Sequence, residues 1–555
     1  MSATRHSYQA VIDVFQDRSP TKQLARLAET AMNHSHWFMA VDLFDSGEMA
    51  GQVRGLRIWF PGGGFVWQFR WGDLSVLGCT REESIRVRDG LADALESSRV
   101  WGFDLKPQLV ALARDTRLCF HPGFDLSLAV SFFDSRQKNI EYSPSVLSKI
   151  HKILSDADTP ALIETREPSS IDEPGWPTVD FMLADAANIA FLCDLASSLF
   201  TPALAKVYDA SVVAAISAFV EIELGGVAVD VARLEAMSLE MRARIALAHY
   251  RIRGTPVYAE WIQRHVGTQE RFKARRSPLL DLRRRTHRAE LLHEILRLPV
   301  RSRTPTGEPS LTSETVVRLY HEIPPENAVA RTVVNEIGAC MEACGNLDRV
   351  ISPIQAALVK SDGIGRGPFP HPARSRNTVC AEYVMDSSET FRVCASRPAI
   401  QGIPATPWFR RLFCSRWRDH GGLYFRADYS QMEVGDLAVV SGESVLLDLV
   451  RRGEDLHRSV ASLLFNVPLD AVSDSQRKVS KMINFGIIYG ASSRNLAASL
   501  GWEVSRFEAV RTQFYGRFEG VAAWMDRVRD QARRTSQVVT HIGVVRDMQG
   551  HTGGE

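Results

Sequence analysis

In the stretch from Ser475 to Ser492, SQRKVSKMINFGIIYGAS, four side chains recur at one interval: Arg477, Lys481, Phe485 and Tyr489. Residues four apart stand on the same side of a helix, so these four form one stripe, cations first and flat rings after. A nucleoside triphosphate offers the matching order, anionic phosphates and then a stackable base. The same spacing also suits a helix whose rings are core and whose cations are a wetted face. Gly486 and Gly490 weaken such a helix and leave room for something to approach its surface.

The neighbouring segments bear on that choice. In GLYFRADYSQMEV, Asp428 directly follows an apolar, strand-like run. A strand end can aim an acid and the next backbone carbonyl at one divalent cation, as phosphoryl transfer requires. Glu433 comes shortly after, and EDLHRSVASLLF places His457 between the two regions.

The elements that carry these residues sit late in a long chain. Its 555 residues exceed a single hydrophobic core, and roughly three or four domains is the prior. Composition is that of a globular protein, 45% hydrophobic and 24% charged. The net charge of +1 hides segregation of sign: Arg271 to Arg303 holds eleven Lys/Arg against Asp281, Glu290 and Glu294. Such a surface suits a polyanion, and it also suits a solvated helical face. Eight cysteines are scattered, with only Cys340 and Cys344 close together, at a spacing for two small residues on one helix face rather than a zinc site. That usage points to a reducing compartment. The N-terminus has no signal pattern, and the most apolar run, Ala210 to Val220, is too short to span a bilayer before Glu221 and Glu223. A cytoplasmic protein is the expectation.

The first two hundred residues read as an α/β unit. WFMAVDLFDSG is an apolar run reaching Asp42, and GLRIWFPGGGFVWQFRW is two strands around a Pro-Gly-Gly-Gly turn. Helical periodicity returns near Arg88 to Glu96 and through Phe181 to Phe200. From Tyr208 to about Leu347 the pattern is helical, broken at RSRTPTGEPS, and SDGIGRGPFPHPARSRN is a connector. Strand-like sequence runs to Val393, and from Ser441 onward the chain reads as helical.

At this point DYSQMEV and RKVSKMINFGIIYG resemble motifs A and B of the family A DNA polymerases, the bacterial DNA polymerase I group. ETFRVCASRPAIQGIP, PWFRRLF and DLHRSVASLLF resemble supporting segments of that family, in family order. The resemblance implies an α/β chain: an RNase H-like exonuclease-type domain, then a right-hand polymerase domain of thumb, palm and fingers. The expected boundaries are 1–200 for the first, 201–375 for the start of the palm and the basic thumb, 376–450 for the palm and 451–555 for the fingers.

What the resemblance implies for function is dNTP addition to a primer 3′-hydroxyl, with Mg²⁺ (or Mn²⁺) as cofactor and primer–template DNA and dNTPs as partners. Asp428 and the Tyr429 carbonyl would hold metal. Arg477 and Lys481 would grip the triphosphate, Lys481 protonating the leaving pyrophosphate. Phe485 would stack near the incoming base and Tyr489 would shape the nascent pair. Glu433 would crowd the sugar, with Gln431 and His457 completing the nucleotide set. Arg392, Gln401 and Arg410 would contact primer or template, and the basic segment would grip the duplex.

Departures accompany the resemblance. Gly435, Gly402 and Phe391 stand where the family has Arg, Asn and Gly. No His-Asp-Glu, the family's second metal-binding motif, occurs in the 555 residues. Two-metal transfer needs anionic ligands on both sides of the ions. The expectation is therefore a truncated chain that is impaired by itself, or one completed by another chain, with one side of the palm sheet left unpaired. In the first half, the family's exonuclease acids map onto Asp42, Phe44, Gln108 and Asp185. Two acids of four remain, so proofreading is not expected. Two alternatives stand beside the polymerase: a non-catalytic primer–template and nucleotide-binding remnant, and a 3′–5′ nuclease in the first half.

Overall fold

The fold comes from a computed structural model, which describes residues 13–548 except 15–19, 44–52, 61–64, 73–74, 77–80, 135–142, 156–158, 163–178, 267–279, 305, 365–376, 389, 501 and 542.

Period-2 alternation builds the N-terminal sheet. Along the strand His36–Leu43, Trp37 and Met39 point into one apolar cluster with Leu56, Ile58 and Val100. Phe38 points the opposite way, into a second cluster with Trp59, Phe103 and Phe124. Both faces are covered, which is why WFMAV is apolar without a break. The strand pairs antiparallel with Val53–Trp59, which pairs antiparallel with Phe65–Gly72. Trp59 lies opposite Val66, so the Pro-Gly-Gly-Gly segment joins a hairpin, although residues 61–64 are outside those described. On the other side Arg99–Gly102 and then Pro122–Asp125 continue the sheet in parallel, with the helix Leu105–Thr116 as their crossover.

The helical run Pro202–Gly225 is longer than its sequence suggests. Its 24 residues are long and apolar enough to cross a membrane, which corrects the reading of Ala210–Val220 as too short. The helix continues through Glu221 and Glu223 because the sheet supplies apolar partners on its other sides. Tyr208 and Val213 pack on one face of the N-terminal sheet, and Ile216, Val220 and Leu224 on the other cluster.

The middle of the chain is helical. Val231–Arg253 starts at Asp230, whose carboxylate accepts the Arg233 N–H at 3.0 Å, and buries Leu234, Met237, Met241, Ile245 and Ile252. With Ala248, also buried, those residues recur at three- and four-residue steps and meet Val333, Val334, Ile337 and Cys340 of the helix Ala328–Asn346. A three-stranded sheet of Phe413–Cys414, Val227–Val229 and Thr378–Val379 lies beside them.

Beyond it the chain is almost wholly helical, with Val434, Leu437, Val460, Ile483, Phe507 and Phe514 in one core. One expectation is overturned here. Leu423–Asp428 is in no strand, and Leu423 and Phe425 are 91% and 86% exposed. The reason is the absence, among the described residues, of a strand hydrogen-bonded to it. An apolar run gains its β-conformation from a paired neighbour and a covered face.

Candidate nucleotide site

Arg477, Lys481 and Phe485 fall on the helix Asp474–Ile488, and Tyr489 follows directly after it, its N–H still donating to the Phe485 carbonyl at 2.9 Å. Its start is a capping box: the Gln476 N–H donates to Ser473 Oγ at 3.2 Å, and Gln476 Oε1 accepts the Ser473 N–H at 2.9 Å. That start puts Arg477 in the first turn, where a cation opposes the helix dipole. Asp455 compensates, accepting from Arg477 Nε at 2.5 Å. Burial works to raise the Asp455 carboxyl, but the Arg477 hydrogen bond and the Arg458 N–H together hold it below the usual carboxylate range. The helix ends at Gly490, φ +66°, and the Ala491 N–H closes on the Gly486 carbonyl at 2.8 Å.

The stripe emerges along one side of this helix. Lys481 and Tyr489 are exposed, Arg477 and Phe485 half-buried, whereas Ser480, Ile483 and Asn484 face inward. The Lys481 ammonium lies 5.7 Å from the Phe485 ring centroid, and Phe485 and Tyr489 are near-parallel at 6.3 Å. Gly486 has a different duty from the one its sequence suggested. A Cβ there would come within 2.4 Å of Leu496 Cδ2, so the glycine admits the next helix, Ser493–Leu500, and leaves no space for a ligand.

His457 lies beneath the stripe, 3% exposed, its Nδ1 3.1 Å from Asn484 Nδ2 and its ring 5.5 Å from Phe485. Burial first, with Arg477 and Lys481 adding to it, pushes the imidazole below its ordinary range despite Asp455. It therefore supports the stripe from the inside of the protein. Asp455 and Asn484 were not singled out in the sequence. Their signals were an acid within reach of a first-turn Arg and a polar residue on a buried helical position.

Arg392 joins the stripe to the Asp428 segment. One terminal guanidinium nitrogen donates to Glu433 at 2.7 Å and to the Tyr489 hydroxyl at 2.6 Å. Gln431, at φ +55°, accepts the Leu456 N–H at 2.8 Å and donates to the Glu454 carbonyl at 3.3 Å. The segment after Asp428 is thus fastened to the residues flanking Asp455. Asp428 and Tyr429 themselves are exposed, Tyr429 at 84%. Gln401 braces its own neighbourhood, accepting from the Ala395 N–H at 2.6 Å and donating to the Val393 carbonyl at 3.0 Å. Arg410 is exposed at the end of the short helix Pro407–Arg410.

In the basic segment, Arg271, Lys273, Arg275 and Arg276 are outside the described residues. Arg285 pairs with Glu308 at 3.2 Å and Arg301 with Glu322 at 2.6 Å, so part of the remaining charge is locally balanced. In the N-terminal sheet, Gln108 accepts the Val41 N–H at 2.8 Å and donates to the Phe103 carbonyl at 2.6 Å. It is a brace between strand and helix. Asp42 lies on the strand His36–Leu43 and Asp185 on the helix Val179–Ser198, with side chains outside the described residues, as are Phe44 and Asp45. Among the described residues, no group of three or more His, Cys, Asp or Glu could hold a metal ion.

The chain is similar to known proteins over its second half and in its fold. The profile of DNA polymerase family A matches residues 281–552. DNA polymerase I of Pseudomonas aeruginosa is 33% identical over 255 residues, 46% of this chain and 26% of that protein. Thermostable DNA polymerase I of Thermus aquaticus is 27% identical over 325 residues, 58% of this chain and 34% of that protein. The chain thus matches only about a quarter to a third of the length of these curated relatives. A solved structure, the POL domain of Pol1 from M. smegmatis in complex with DNA primer-template and dNTP, shares the fold. Its TM-score is 0.68 at 20% identity, covering 95% of this chain and 81% of that one.

Proposed function

Residues 281–552 of this chain belong to the family A DNA polymerases, and from that premise we propose that it binds primer–template DNA and a dNTP as a DNA-templated polymerase, acting in the cytoplasm on nucleoid DNA. The observation that carries the proposal is the stripe Arg477–Lys481–Phe485–Tyr489, half-buried at Arg477 and Phe485 and exposed at Lys481 and Tyr489, tied through Arg392 to Glu433. Arg477 and Lys481 take the phosphates, Phe485 and Tyr489 the base, and Glu433 the sugar. Asp455 and His457 hold the stripe in place. Arg392, Gln401 and Arg410 face primer or template.

Asp428 and the Tyr429 carbonyl are the groups offered to Mg²⁺ (or Mn²⁺). One carboxylate and one carbonyl can meet a nucleotide-borne ion, but they do not build the two-ion clamp of phosphoryl transfer. These 555 residues by themselves are accordingly impaired in extension, and a second carboxylate from a completing segment would relieve that. A second reading, a non-catalytic primer–template and nucleotide-binding protein, is favoured by the Leu423–Asp428 run, which has no strand partner among the described residues. The N-terminal sheet is an exonuclease-type scaffold in which Gln108 serves structure.

The test uses the purified chain with primer–template and each dNTP. The expected result is a DNA complex tightened by the complementary dNTP, with extension at background. Extension well above background defeats the impairment. Absence of both DNA and dNTP binding overturns the polymerase reading and its alternative together. Degradation of primer 3′ ends that survives Asp42→Ala would come from a contaminant, and degradation abolished by it would reinstate a nuclease.

A further inference from the structure

Phe391 stands where three parts of the chain meet, and its backbone is unusual for its type. Its φ is +53°, a left-handed value that costs a bulky side chain energy and persists only when the surroundings hold it. What holds it is packing. The ring is half-buried against the second N-terminal cluster, 5.0 Å from the Phe132 ring. Val544, 1% exposed, belongs to the same cluster, and the Arg546 guanidinium sits 4.9 Å from the Phe391 centroid. The C-terminal hairpin Gln537–Val539 with Val545–Asp547 therefore also packs at this ring.

The next residue is Arg392. A tight turn fixes the pair: the Phe391 N–H donates to the Ser388 carbonyl at 3.1 Å, and the Arg392 N–H to Ser388 Oγ at 2.8 Å. With the ring clamped and the turn closed, the Arg392 side chain leaves toward Glu433 and Tyr489. An unbroken line of contacts runs from Phe132 in the N-terminal unit, through Phe391 and Arg392, to the aromatic end of the stripe. A glycine at 391 would adopt the same φ without strain and would carry none of this packing.

We propose that Phe391 is a positioning residue that makes the packing of the N-terminal α/β unit set the orientation of Arg392, and through it of Glu433 and Tyr489 at the nucleotide site. This gives the N-terminal unit a task that needs none of the nuclease acids. The nucleotide part of the proposal rests on the reading of the site given above; the mechanical part does not.

The experiment compares the full chain with Phe391→Gly, Phe391→Tyr and Phe132→Ala, and each with Arg392→Ala. Hydrogen exchange is read first, because it needs no nucleotide. Phe391→Gly and Phe132→Ala are expected to speed exchange both at residues 388–394 and at 486–491, by about threefold or more, while Phe391→Tyr leaves both near the parent value. Affinity for the complementary dNTP should fall about tenfold with Phe391→Gly, recover with Phe391→Tyr, and not change further when Arg392 is already Ala. Should Phe132→Ala fail to fold, Phe132→Leu replaces it, since it keeps most of the apolar volume and loses the ring. Exchange that changes at 388–394 but not at 486–491 overturns the coupling. So does a Phe391→Gly effect of equal size with and without Arg392. If the parent chain binds no dNTP at all, the site reading has failed, and the exchange result still decides the coupling.

Discussion

At residues 108 and 481 the chain treats polar side chains in opposite ways. Gln108 has spent both ends of its amide on backbone, joining the Val41 N–H to the Phe103 carbonyl across the N-terminal sheet. Lys481 is exposed beside Phe485, on a helix whose buried side is already filled by Ile483 and Asn484. A polar group absorbed into the backbone network stabilises a fold. A cation held on the surface in line with two rings contributes little to stability and is available to a ligand. The comparison separates a side chain that the first half spends on its own backbone from one that the second half leaves exposed.

Substituting both positions gives the sharpest contrast. Lys481→Ala should weaken dNTP binding by about 10- to 100-fold, the range for losing one charge-assisted hydrogen bond, while the melting temperature stays put. Gln108→Ala should do the reverse, leaving dNTP binding alone and lowering stability by about 1 kcal/mol as the partly buried Val41 N–H loses its partner. Titration for nucleotide and calorimetry for unfolding read the two effects. If Lys481→Ala destabilised the fold and spared binding, the stripe would be structural after all. Gln108→Asp is expected to restore no nuclease activity in a primer-degradation assay, since it removes the brace and leaves Phe44 in place.

Burial lowers the imidazole of His36 in the N-terminal sheet and that of His457 in the second half alike, so both halves carry a pH effect of the same sign. The His457 imidazole is held below its ordinary range, so the unfolded chain binds its proton more readily than the folded one. Stability from this residue is complete above the unfolded value of about 6.5 and is lost as pH falls below it. The lowered Asp455 carboxyl acts in the same direction in more acid solution. Unfolding followed from pH 8 to 5 should show this slope in the helical C-terminal core, and His457→Gln should flatten it. The smallest effect concerns Cys344. A hydrogen bond from Cys340, 3.9 Å away, with Arg283 and Arg288 nearby, lowers its thiol to about 7. It should be alkylated by iodoacetamide at neutral pH ahead of Cys119, whose thiol burial pushes up.

How much was legible in the sequence follows from the range of the interactions involved. The stripe was legible because i+4 spacing is local, and the helix around it is capped by its own Ser473 and Gln476. The N-terminal strands were legible from WFMAV and the glycine turn, because alternation and hairpins are local too. The strand before Asp428 was misread, since an apolar run becomes a strand only with a partner that periodicity cannot supply. Gly486 was misread for a similar reason: Leu496, which fills its face, is ten residues away on another helix. Asp455 and Asn484 escaped notice because their roles exist only when two helices are docked. Phe391 looked like a departure, and its packing on Phe132 crosses nearly half of the chain.

The central claim is tested most directly by photocrosslinking an azido-dATP to the full chain with primer–template DNA and Mg²⁺, then mapping the adduct by mass spectrometry. The account predicts an adduct within residues 477–489, suppressed by excess complementary dNTP and by Lys481→Ala. An adduct confined to other residues, or one that dNTP does not suppress, would contradict it.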